Sequence, residues 1–68
     1  MRTDRDDLRQ RLEAIAEELG DLALDALREA VEAGETTSPP EERRLTRARR
    51  AVEKAALLLA DGDTAADD

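Results

Sequence analysis

The sequence predicts an all-α fold, an antiparallel helical hairpin that pairs with a second copy into a four-helix bundle. Three observations predict it. Apolar residues recur at alternating intervals of three and four along two segments. A short polar break around Gly34 separates the segments, and Ser38-Pro39-Pro40-Glu41 follows it as a helix-start signal. The chain has only 68 residues and no cysteine, so it has little core of its own and no disulfide to compensate.

The first helix is expected over residues 4–33. Thr3 or Asp4 can cap it, and Asp6 and Asp7 suit the positive end of its dipole. Its apolar stripe reads Leu8, Leu12, Ile15, Leu19, Leu22 and Ala26, flanked by Ala16, Ala23 and Ala30. Beyond Leu22 the stripe widens to take in Leu24, Leu27 and Val31. Gly34 is the expected left-handed residue just past the helix end. Gly20 lies mid-helix at a cost of about 1 kcal/mol relative to alanine; a close helix crossing is the expected reason, and a kink the alternative.

Residues 34–38 form the connection. The second helix is expected over 39–61, with Ser38 as N-cap, Pro39 in the first helical position and Glu41 returning a hydrogen bond to the Ser38 amide. Its stripe is Leu45, Ala48, Val52, Ala55 and Leu59, broadened by Ala51, Ala56 and Leu58. Gly62 stops it. The hairpin domain is thus 1–62, and 63–68 reads as a disordered acidic tail. Folding about the loop pairs positions whose numbers sum to roughly 72, so that Leu27 meets Leu45, Ala23 meets Ala48, Leu19 meets Val52 and Leu12 meets Leu59. Each helix is apolar over more of its circumference than a two-helix seam covers. The expected core and dimer interface therefore comprises Leu8, Leu12, Ile15, Leu19, Leu22, Ala23, Ala26, Leu27, Ala30, Leu45, Ala48, Val52, Ala55 and Leu59.

Composition removes most chemistry. There is no His, Cys, Phe, Tyr or Trp, hence no neutral-pH proton shuttle, no thiolate nucleophile or zinc ligand, and no ring for base stacking. The carboxylates of the first helix rotate around its surface without converging, and no calcium loop is present. No catalytic residue, cofactor or metal is expected, and the chain is read as a non-enzyme. A net charge of −7 opposes general attraction to nucleic acid or anionic membranes. No apolar run approaches the roughly 20 residues of a membrane span. The start of the chain lacks a signal-peptide pattern, so a cytoplasmic location is expected.

Charge is segregated between the helices. The first carries Glu13, Glu17, Glu18, Asp21, Asp25, Glu29 and Glu32; the second is basic through Arg43, Arg44, Arg47, Arg49, Arg50 and Lys54. At the expected register Glu29 lies level with Arg43, Asp25 with Arg47, Asp21 with Arg50 and Glu18 with Lys54, which predicts ion pairs across the hairpin. The other use of Arg43, Arg44, Arg47 and Arg50 is as a docking face for a partner.

Three resemblances follow. In architecture the layout resembles the small hairpin-dimer proteins of the Rop type, which implies an RNA-associated regulator, although no motif residue is shared. Leu8-Arg9-Gln10-Arg11-Leu12-Glu13-Ala14-Ile15 resembles the opening of the first helix in all-helical chorismate mutases, which implies a dimeric enzyme with Arg9 near a dicarboxylate; Ala16 departs from that pattern. In composition and length the chain resembles the small uncharacterised acidic helical-hairpin proteins of actinobacteria, from which no functional residue carries over. The residues themselves favour a non-catalytic homodimeric interaction or regulatory module with a protein partner. The Rop-like regulator and the mutase-like enzyme stand as alternatives.

Overall fold

The structure, a computed structural model, describes residues 2–60, with side chains from residue 4 onward. Two helices account for nearly all of it: α1 (Arg2–Glu32) and α2 (Pro40–Ala60), packed against each other as an antiparallel hairpin. The expected tail over 63–68 and the expected stop at Gly62 lie outside the described residues. No described helix is long and apolar enough to cross a membrane.

α1 begins two residues ahead of the expected start, so Thr3 and Asp4 fall within its first turn. Its end follows the sequence signal closely. Gly34 has a φ of 85°, the left-handed conformation that an L side chain resists. Around it the amide of Gly34 donates to the Val31 carbonyl and that of Glu35 to the Ala30 carbonyl, each at 2.9 Å. These two bonds are the Schellman pair that satisfies carbonyls left open at a helix end.

The start of α2 slips by one residue from the expected cap. The Arg43 amide donates to the Pro39 carbonyl at 3.2 Å, which makes Pro39 the capping residue and Pro40 the first helical one. Both positions lack an N–H, so no donor is left open there. Glu42 then takes the place at which a capping box would need its glutamate, but its carboxylate accepts from Thr46 Oγ1 at 2.9 Å. The expected Ser38–Glu41 box is not formed. The Ser38 carbonyl instead accepts from Arg43 Nη1 at 2.6 Å.

The seam between the helices is built on small residues. Among the described residues the buried ones are Ala16, Ala23, Ala30 and Ala56, at 4–7% exposure, and no large side chain is fully buried. Alanine at seven-residue spacing on α1 lets the helix axes approach, and Leu12, Leu19, Ala26, Leu45, Ala48, Val52, Ala55 and Leu59 close over them half-buried. The register agrees with the expected one to within about a turn: Ala16 shares a cleft with Ala56, Ala23 with Thr46, and Leu27 with Glu42.

Gly20 faces a side chain, not the backbone of the crossing helix. A Cβ there would meet Arg49 Nη1 at 3.0 Å and Arg49 Cδ at 3.4 Å, and the Arg49 side chain is exposed enough to move. The two glycines should therefore respond oppositely to alanine. Gly34→Ala should cost about 1 kcal/mol through its positive φ, since nothing lies within 4 Å of the added methyl. Gly20→Ala should be neutral or stabilising by up to about 1 kcal/mol through helix propensity. Thermal denaturation of the two variants checks both signs.

The result is a single layer of two helices. Its extents are 49 × 24 × 11 Å and its radius of gyration is 15.5 Å, against about 11 Å for a compact domain of this length. The chain exposes 5490 Å², where a compact monomer of 7.5 kDa exposes about 4,250 Å². Domains ordinarily enclose their core between two layers. This hairpin has one.

Candidate interaction surface

A layer of two helices has two broad faces, and they differ in chemistry. With successive residues turned by about 100°, Leu8, Ile15 and Leu22 lie on one side of the Ala16–Ala23 seam, and Glu13, Glu17 and Leu24 lie on the other.

The face that carries Glu13 and Glu17 is notched and charged. Glu13, Ala16 and Glu17 of α1 line a cleft with Arg49, Glu53, Ala56 and Leu57 of α2. Arg49 Nε lies 3.5 Å from Glu53 Oε2, and the arginine stem lies over Gly20. Nearer the loop Gly20, Leu24 and Leu27 adjoin Glu42, Thr46 and Arg49. Leu57 and Val31, at 69% and 65% exposure, are the most exposed large apolar residues among those described.

The opposite face is apolar. α1 contributes Leu8, Ile15 and Leu22, at 49%, 44% and 52% exposure, with half-buried Leu12 and Leu19 beside them. α2 contributes Ala48, Ala51 and Ala55, with Leu58 at the far end. Charged residues enter at its outer margins and at the loop end, where Glu29 and Glu41 lie beside Ala26 and Ala30 and Arg44 falls in the column of Ala51 and Leu58. The α1 side is thus a ridge of large side chains, and the α2 side, between Arg44 and Leu58, a trough of methyl groups.

Of the residues expected in the core and interface, Ala23 and Ala30 are buried in the seam, while Leu8, Ile15, Leu22 and Leu27 are exposed. The remainder are half-buried. Ala16 and Ala56, which the spacing puts on the flank of the stripe, are the deepest of the described residues. The seven-residue recurrence of Ala16, Ala23 and Ala30 was the signal for this, because the closest approach of two helices selects the smallest side chains.

The expected ion pairs across the hairpin are not formed. Among the described residues the four ion pairs all lie within one helix: Arg9 with Asp6 at 2.6 Å and with Glu13 at 2.8 Å, Arg11 with Asp7 at 2.9 Å, and Arg49 with Glu53. The reason is angular. Glu29 lies beside Ala30 in a cleft with Glu41 and not Arg43, and Arg43 is held by the Ser38 carbonyl. Glu18, Asp21 and Asp25 on α1, and Arg47 and Lys54 on α2, each lie about 140° or more around the helix from the nearest seam alanine. They are level with one another along the axis but point away. Such local, exposed pairs contribute little to stability, so 1 M NaCl should move the melting temperature by no more than a few degrees.

The arginines singled out for partner binding, Arg43, Arg44, Arg47 and Arg50, are all exposed. Arg43, Arg47 and Arg50 line one shallow cleft with Glu42 and Thr46. Arg9 is held differently: hydrogen bonds from it to Asp6, and then to Glu13, raise its pKa and tie the guanidinium to its own helix.

Comparison with protein-family models, with curated proteins and with solved structures finds no match to this chain. Any functional reading therefore rests on the two faces themselves.

Proposed function

We propose that the protein is a non-catalytic homodimeric helical interaction module, with the apolar face as its self-association surface and the outer arginines of α2 as a docking row for an acidic protein segment. The observation that carries the reading is a hairpin whose buried residues, among those described, are all alanines, while Leu8, Ile15, Leu22 and Leu58 stand 44–52% exposed together on one face. Four small residues contribute little burial, and apolar faces of this extent on a soluble chain mark association sites. Arg43, Arg47 and Arg50 are exposed along one shallow cleft, which suits them to meet carboxylates on a partner.

Sedimentation equilibrium tests the first half. A species of twice 7.5 kDa at micromolar concentration supports the module, and a folded monomer throughout the range removes it. For the second half, Arg43→Glu with Arg50→Glu should leave the dimer intact and abolish capture of an acidic peptide. Salt-sensitive retention of the intact protein on RNA, lost in the same variant, would support the Rop-like alternative instead.

A further inference from the structure

We infer that the occupant of the apolar face is a second copy set with its α1 over α2 of the first, so that both loops lie at the same end of the bundle. This rests on the homodimeric reading above and adds the arrangement to it. Two hairpins can stack through one face with two-fold symmetry in two ways. A two-fold axis parallel to the helices puts α1 over the second copy's α2, with the loops together. An axis perpendicular to them puts α1 over α1 and α2 over α2, with the loops at opposite ends.

Shape favours the first way. The face has its large side chains on α1, as Leu8, Ile15 and Leu22, and its small ones on α2, as Ala48, Ala51 and Ala55. Laying α1 over α2 sets ridge into trough twice. Because the axis runs along the helices, residues that are level within one hairpin are also level between copies. Ile15 then falls between Ala55 and Leu58, and Leu22 by Ala48 and Ala51. Laying α1 over α1 sets ridge on ridge and leaves the alanine trough unfilled.

Charge favours the same way, by an independent observation. Within Arg2–Glu32, five arginines against ten carboxylates leave α1 at −5; within Pro40–Ala60, six cations against three carboxylates leave α2 at +3. Glu18 and Asp25 lie at the outer margin of the apolar face on α1, and Arg47 and Lys54 lie at its outer margin on α2. None of these four takes part in an ion pair among the described residues. With α1 over α2, Glu18 of one copy is level with Lys54 of the other and Asp25 with Arg47, twice over. With α1 over α1, carboxylates oppose carboxylates and cations oppose cations, which selects against that arrangement. The charge segregation that makes no pairs inside the hairpin is complementary between hairpins.

The chain has no cysteine, so a single Thr36→Cys in the loop gives a clean site for a nitroxide, and dipolar spectroscopy on the labelled full chain reads the arrangement directly. A distance comparable to the 24 Å width of the layer is expected; one near its 49 Å length overturns the inference while leaving the dimer standing. A monomer in the sedimentation test overturns both. Charge reversal gives a second readout. Glu18→Lys with Asp25→Lys should raise the dimer dissociation constant about tenfold or more, and adding Arg47→Glu with Lys54→Glu should restore it. A dimer that ignores the first pair, or is not rescued by the second, overturns the inference, because only α1 over α2 opposes these residues.

Discussion

Replacing Ile15 with aspartate should dissociate the protein at concentrations where the parent chain is fully dimeric. In an isolated hairpin the change would be minor: Ile15 is 44% exposed, and surface substitutions of that kind usually fall within about 0.5 kcal/mol. Against a second copy the same position is enclosed by the α2 methyl groups. Losing the isoleucine contacts there costs about 2–5 kcal/mol, and the carboxylate has no hydrogen-bond partner in that setting. Each dimer carries the substitution twice. Even about 4 kcal/mol in total raises the dissociation constant roughly a thousandfold. Sedimentation and concentration-dependent circular dichroism separate the cases: an unchanged dimer means that the apolar face is not the interface.

The contrast with the opposite face sharpens that test. Glu17 lies among Glu13, Arg49 and Glu53 at the charged cleft, so the two broad faces sort by charge although both flank one alanine seam. This sorting was legible only in part. The three-four spacing of Leu8 to Ala26 and of Leu45 to Leu59 gave both helices and their antiparallel order, because a short loop leaves no other arrangement. Gly34 gave the end of α1, because a positive φ has few other uses there.

What the sequence did not yield was rotation. Counting along the chain sets Glu18 level with Lys54, but level residues touch only if they also face each other. Axial height follows from counting, but azimuth depends on which column forms the seam. The spacing centres the seam on Leu12, Leu19, Ala23 and Leu27; the structure buries Ala16, Ala23 and Ala30 there and leaves Leu27 exposed. Once that column is known, every charged residue on the outside follows, and so does the apolar face left over. The slip of the α2 cap from Ser38 to Pro39 is a smaller case of the same kind, since Pro39 and Pro40 both suit a helix start.

Leu19→Asp should have the largest effect of any single substitution, because Leu19 belongs to both packing surfaces at once. It is half-buried beside the seam and lies between Leu12 and Ala26 on the side that turns toward the apolar face. The charge therefore disturbs the hairpin even when no second copy is present. Loss of the leucine contacts costs about 2–5 kcal/mol, and the unpaired carboxylate adds to this. A domain of this size rarely holds more than about 3–5 kcal/mol in its core, so the variant should be unfolded at room temperature. Glu17→Ala, two residues away on the charged face, should change stability by about 0.5 kcal/mol or less. Circular dichroism at 222 nm resolves the pair of variants directly. Equal helicity and equal melting in both would mean that the seam does not run along Ala16 and Ala23, and the assignment of the two faces would fail with it.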